Sequence, residues 1–158
     1  GKGSMYEGGL RVPFIAVGPR IKPGSQSRVP VTGLDLFPTL AELAGYAKPL
    51  PKSLDGGSLT RLLRNQGQGA VQRSNSFLLF HQAVARTAQT ALIHGDYKLV
   101  KTWRDNRLEL FDLSKSVEED INLAEKLPGK TEELHGLMTG HLDNVGAETR
   151  KITTKRAN

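Results

Sequence analysis

Four short strand-like runs, residues 77–80, 88–93, 97–103 and 108–111, follow one another with only turn chemistry between the last three, His94-Gly95-Asp96 and then Arg104-Asp105-Asn106-Arg107. Connections this short join only neighbouring antiparallel strands, which excludes a parallel sheet for this half of the chain. In Tyr97-Lys98-Leu99-Val100-Lys101 apolar and basic positions nearly alternate, the pattern of a sheet with one face in water. Residues 112–124 read as an acidic loop. Residues 129–145 place Leu134, Leu137, Met138 and Leu142 on one helical stripe. The expectation is a small four-stranded antiparallel sheet with one helix packed on one side.

The first half has a different grain. Phe14-Ile15-Ala16-Val17 ends a run from Val12 that stops at Gly18-Pro19, and it reads as a strand covered on both sides. Residues 20–30 are a polar Pro/Gly/Ser-rich loop. Leu36, Leu40 and Leu43 share a helical face with Phe37, Ala41 and Ala44 beside it, and Gly45 is placed to cap the end. Pro38 fits a helix only in its first turn, so the helix starts near Asp35, a capping carboxylate rather than a ligand. A short helix is expected over 58–64. Residues 65–74 are Gly/Gln-rich and unpatterned, and a boundary falls there. The division is 1–73, then 74–146, then a basic tail over 147–158 expected to be disordered.

Charge and composition narrow the functions. The 158 residues carry 22 Lys+Arg against 16 Asp+Glu, a net +6, which suits an acidic partner such as a sulfated or phosphorylated group. The basic residues are scattered and no basic helix appears, so nucleic acid is not an expected partner. No run of about 20 apolar residues exists to span a membrane. With no cysteine, the chain has no disulfide, thiolate metal site or cysteine nucleophile.

The opening residues, Gly1-Lys2-Gly3-Ser4-Met5-Tyr6-Glu7-Gly8-Gly9-Leu10-Arg11-Val12-Pro13, read as an anion-binding loop. Glycines free the backbone for close approach, and Lys2 offers donors without acceptors to an oxyanion. Glu7 and Arg11 stand four apart and suit a buried charge pair that pins the loop to the sheet rather than a catalytic role. His81 closes the first strand-like run and is open to either a structural or a substrate-contacting role. His94 falls in a turn and reads as solvated. His135 and His141 lie too far apart for one metal site and read as surface or edge residues.

Taken together these pieces resemble the sulfatase family of the alkaline-phosphatase-like superfamily. The resemblance rests on the opening segment, Asp35-Leu36-Phe37-Pro38-Thr39-Leu40 through Gly45, Asp55-Gly56-Gly57-Ser58-Leu59, Gly95-Asp96-Tyr97-Lys98-Leu99-Val100, Leu108-Glu109-Leu110-Phe111-Asp112-Leu113 and Asn122-Leu123-Ala124, six pieces in order. It implies an α/β architecture: the end of an alkaline-phosphatase-like sheet domain, then the small antiparallel sheet with its C-terminal helix. It implies a C-terminal portion of a sulfate-ester hydrolase acting on a sulfated small molecule or carbohydrate, inactive apart from the rest of the polypeptide. It also implies a formylglycine from a Cys/Ser-x-Pro-x-Arg motif and a divalent cation, usually Ca²⁺, both supplied upstream. That motif is absent from these residues. By the same resemblance Lys2 binds sulfate oxygens, His81 is the candidate second substrate contact, and the compartment is periplasmic or secreted. The alternatives are a phosphodiesterase or phosphonate hydrolase of the same superfamily, and a non-catalytic packing or carbohydrate-recognition module.

Overall fold

A computed structural model describes residues 3–83 and 88–149. In chain order the elements are α1 (Glu7–Leu10), a 3₁₀ turn (Gly33–Asp35), α2 (Leu36–Leu43), α3 (Thr60–Arg64), β1 (Leu78–Gln82), β2 (Gln89–His94), β3 (Tyr97–Thr102), β4 (Arg107–Asp112) and α4 (Pro128–Asn144). They fall into two units, one of Gly1–Val12 with Phe77–Asn158 and the other of Pro13–Ser76. The first twelve residues therefore group with the sheet, not with residues 13–73 as the sequence division has it.

In the sheet unit the four strands form an antiparallel meander in the order β1-β2-β3-β4. Register runs from His94 opposite Tyr97 to Thr102 opposite Arg107. The β2–β3 connection is Gly95-Asp96, where Gly95 takes φ +60, a conformation that costs a residue with a Cβ far more. Asn106, at φ +57, supplies the same bend before β4.

Each face of this sheet is covered. Leu92, Leu99 and Leu110 meet Leu134, Met138 and Leu142 of α4, all essentially inaccessible to water. Burying each such side chain contributes roughly 2 kcal/mol. On the opposite face Ala91, Val100 and Phe111 are buried beneath Met5, with Tyr6 and Leu10 packed alongside. The expectation of a wet face is thus overturned. Lys98 and Lys101, which suggested it, are themselves buried, because residues far away in sequence cover them.

The Asn122-Leu123-Ala124 piece guards the open edge of β4. Asn122 Oδ1 accepts from the Leu110 N–H at 3.0 Å and the Ala124 N–H at 2.9 Å, and the Leu123 N–H donates to the Leu110 carbonyl at 2.7 Å. An edge strand needs such cover to avoid pairing with another chain. Pro128 opens α4, where the missing N–H costs nothing. Ala147 packs against the core and the Glu148 carbonyl accepts a hydrogen bond, so the expected tail does not begin at 147; residues 150–158 lie outside those described.

The Pro13–Ser76 unit is organised by Asp35, which has no exposed surface. Its carboxylate accepts from the N–H groups of Thr32 at 2.8 Å and Gly57 at 2.9 Å, and from Arg73 at both oxygens. A Cβ on Gly57 would sit 2.0 Å from the Gln72 carbonyl oxygen, and one on Gly56 would sit 2.0 Å from that of Leu34. The Asp-Gly-Gly turn is therefore a requirement of close backbone approach.

Two expectations fail in this unit. Val12–Val17 forms no strand and Val12, Phe14, Ile15 and Val17 are exposed. On α2 it is Pro38 and Thr39 that are buried, while Leu36, Phe37, Leu40 and Leu43 face solvent. The physical reason is common to both. Apolarity sets which side chains favour burial, but the described residues of this unit hold only short helices and loops, with no sheet to cover them.

Candidate functional site

Lys2, the residue singled out for anion binding, lies outside the described residues; the segment that follows it does not. Gly3 takes φ +83, a bend with open space around it. The Met5 N–H then donates to Gln89 Oε1 at 3.4 Å, and the Tyr6 ring meets Phe111 edge-on with centroids 6.1 Å apart. The Tyr6 hydroxyl donates to Glu109. Burial, with the Glu109 hydrogen bond adding to it, pushes the Tyr6 phenol up to about 12.

At Glu7 the anchoring becomes ionic. Lys98 Nζ, with no exposed surface, donates to Glu7 Oε1 at 2.8 Å and lies 2.8 Å from Glu119 Oε1. The contact with Glu119 is an ion pair rather than an aligned hydrogen bond. The second oxygen of Glu119 accepts the Glu7 N–H at 2.6 Å. Glu119 reaches this position from φ +59, a strained conformation for a residue with a Cβ. One ammonium is thus shared by two carboxylates, and both the backbone and the side chain of Glu7 are held.

The expected Glu7–Arg11 pair exists in a weaker form. Arg11 Nη1 stands 3.5 Å from Glu7 Oε2 with its side chain 60% exposed, so the buried partner of Glu7 is Lys98 rather than Arg11. Sequence reasoning missed Lys98 and Glu119. The available signal was that Lys98 precedes Val100 by two on a strand, hence on the same face, and a lysine beside a buried valine needs a counter-charge. Nothing local says that the counter-charges are Glu7 and Glu119.

His81 is occupied within the fold. Its Nε2 is 2.9 Å from the Glu148 carbonyl, which only accepts, so that nitrogen carries the proton in the neutral ring. Nδ1 then accepts from the Thr90 hydroxyl at 2.7 Å, and Thr90 Oγ1 in turn accepts the Trp103 indole N–H at 2.7 Å. The chain of donors runs Trp103 to Thr90 to His81 to Glu148. His94 is half-buried at the end of β2.

The other two histidines are less exposed to water than expected. His141 packs edge-on against Phe77 at 5.4 Å. His135 Nε2 accepts from Lys101 Nζ at 2.8 Å, and that ammonium also lies 4.5 Å from the Trp103 ring centroid. Burial lowers the pKa of Lys101. Burial, and then the Lys101 charge, lowers that of His135.

No Cys/Ser-x-Pro-x-Arg motif from which a formylglycine could be made occurs in the sequence. Among the described residues no three His, Asp or Glu converge as a metal site, and the chain has no cysteine.

Comparisons with known proteins agree with the fold. The family described as N-sulphoglucosamine sulphohydrolase, C-terminal, matches residues 1–147. Arylsulfatase K of Xenopus laevis is 34% identical over 142 residues, 84% of this chain and 26% of that protein. A sulfatase of Formosa agariphila is 36% identical over 140 residues, 82% of this chain and 25% of that protein. A Bacteroides thetaiotaomicron structure described as a sulfatase superposes with a TM-score of 0.72 at 28% identity, covering 97% of this chain and 34% of that one. The solved neighbours are sulfatases of the alkaline-phosphatase-like fold. The chain belongs to the sulfatase family, matching the C-terminal region its members share. It spans about a quarter of the length of these curated relatives.

Proposed function

We propose that this chain is the C-terminal portion of an enzyme that hydrolyses sulfate monoesters, and that its direct contribution to the reaction is the ammonium of Lys2. Attack at sulfur builds negative charge on the sulfate oxygens, and a fixed donor of one positive charge stabilises that charge more in the transition state than in the ground state. The formylglycine and the cation, commonly Ca²⁺, come from polypeptide beyond these residues and supply the nucleophile and a second charge. The described residues that follow Lys2 are tied to the sheet through Met5, Tyr6 and Glu7. The substrate is a sulfated small molecule or carbohydrate.

The observation that carries this reading is the family match running from residue 1 to 147, a range that takes in both the Lys2 segment and the sheet. It is supported by the tethering of residues 5–7 to that sheet. The test is an assay of the full-length protein on an aryl sulfate and on an aryl phosphate diester. Faster turnover of the sulfate is expected. Preference for the diester would make the enzyme a phosphodiesterase, and no turnover of either would favour a non-catalytic module. Lys2→Ala is expected to lower kcat on the order of 100-fold or more, the size of effect seen for loss of one oxyanion donor.

A further inference from the structure

We propose that Lys101 and His135 form an acid-sensitive latch between β3 and α4: a neutral imidazole holds the buried ammonium, and protonating that ring lifts the middle of α4 from the sheet. Lys101 is buried and, among the described residues, has no carboxylate partner. Its Nζ donates to His135 Nε2 at 2.8 Å and lies 4.5 Å from the Trp103 ring centroid. An ammonium only donates, so Nε2 accepts and carries no proton. A proton added there removes the acceptor and sets two cations at hydrogen-bond distance, where partial burial strengthens their repulsion. Loss of a proton from Lys101 does no such harm, because a neutral amine still donates. The latch therefore opens on the acid side alone. No neighbouring charge relieves the pair. On β1 the facing group is His81, whose ring meets Trp103 edge-on with centroids 6.2 Å apart and which is engaged by Thr90 and Glu148. Opposite Lys101 stand uncharged Thr90 on β2 and Leu108 on β4. Arg104 and Asp105 are exposed in the turn, and Arg107 pairs with Glu109. Along α4, Lys130 pairs with Glu133, His141 packs on Phe77, and Glu132, one turn before His135, is exposed. Burial, and then the Lys101 charge, already hold the imidazole below its ordinary value. The helix is also soft at this point. Gly136 and Gly140 lie within it with open space where a Cβ would be, so packing requires neither, and each costs about 1 kcal/mol of helix relative to alanine. Leu134 and Met138, on either side of His135, are the residues that leave Leu99 and Leu110 when the latch opens.

The experiment follows amide exchange, resolved by peptide and corrected for the intrinsic rate, in the full-length protein at about pH 7.5 and about pH 5.5, on either side of the ordinary imidazole value. The unaltered protein is compared with His135→Gln, Lys101→Met and His81→Gln. In the unaltered protein, exchange in peptides covering residues 131–142 is expected to rise about tenfold per pH unit as pH falls from about 6.5 toward the folded value of His135, while peptides of α3 show no such rise. The sign follows from linkage, since the open form binds the proton that the closed form resists. His135→Gln should abolish the rise, because its side chain offers an acceptor and takes up no proton. Lys101→Met should shrink it, since the ring then gains its charge with no cation beside it, and His81→Gln should leave it in place. A rise that survives His135→Gln, one that disappears with His81→Gln, one equally large in α3, or none at all would overturn the proposal. Should His135→Gln not fold, Lys101→Met carries the test, and a rise as steep as in the unaltered protein would overturn it.

Discussion

Arg73 grips both oxygens of Asp35, with Nε 2.8 Å from Oδ1 and Nη2 2.7 Å from Oδ2, across 38 residues of chain. A third bond from Nη2 to the Pro30 carbonyl at 2.9 Å ties in the loop that precedes Asp35. Burial alone would push the Asp35 carboxyl up, but the Arg73 bonds and the N–H groups of Gly57 and Thr32 outweigh it and hold the pKa below the usual range.

Arg73→Met should therefore leave a buried charge without its partner and cost about 3 kcal/mol or more. The stabilisation from a depressed carboxyl is present above its unfolded value, about 3.9, and is lost as pH falls through the folded value. Thermal midpoints of the two forms should be well separated at pH 7 and converge below about pH 4. A separation that persists at low pH would mean that Arg73 acts by packing and not by charge.

Gly57→Ala is expected to disrupt the same unit, because its new methyl group meets the Gln72 carbonyl at 2.0 Å and backbone must move. A cost of about 2 kcal/mol or more follows from such overpacking. Gly33→Ala, with nothing within 4 Å of the added carbon, is the control and should be tolerated. Thermal midpoints of the two variants decide the matter.

Removal of the Tyr6 hydroxyl should loosen the Lys2 segment without changing net charge. Tyr6→Phe leaves Glu109 without its donor and should cost about 1 kcal/mol. Because the folded phenol titrates near 12 against an unfolded value of about 10, its contribution is intact at neutral pH and declines as pH rises between those values. Tyrosinate absorbance should show one phenol titrating late in the folded protein, and the Phe variant should lose it.

On the helix side, the lowered pKa of His135 means that the folded state resists its protonation. The unfolded imidazole takes up a proton near pH 6.5, so folded stability should fall as pH drops below that value toward the folded pKa. His135→Gln offers Lys101 an uncharged acceptor. It should flatten that part of the pH profile of the thermal midpoint, whereas an equally steep profile would assign the fall to other groups.

What the sequence made legible is local. Strands β2 to β4 follow from alternation and from Gly95 and Asn106 at the bends, and α4 follows from Leu134, Met138 and Leu142 at helical spacing. Burial was harder to read wherever it depends on a distant partner. Lys98 looked wet because its cover, Glu7, lies 91 residues earlier. Leu36, Leu40 and Leu43 looked buried because leucine favours burial, yet within this chain they face solvent. Asp35 was seen as a cap while Arg73, its strongest partner, carries no local mark. The opening segment follows the same rule: its glycines and charges are plain in its own residues, whereas the tie from Glu7 to Lys98 and Glu119 is not.

The Glu7–Lys98–Glu119 ion cluster also has a temporal side. A ribosome releases Glu7 long before Lys98 and Glu119, which follow it by 91 and 112 residues. Until the last of these has emerged, the ion cluster around Glu7 is incomplete, and contacts of such range are slow to form. A polypeptide cut short before Glu119 would thus leave Lys98 with Glu7 alone and the Glu7 N–H without its acceptor.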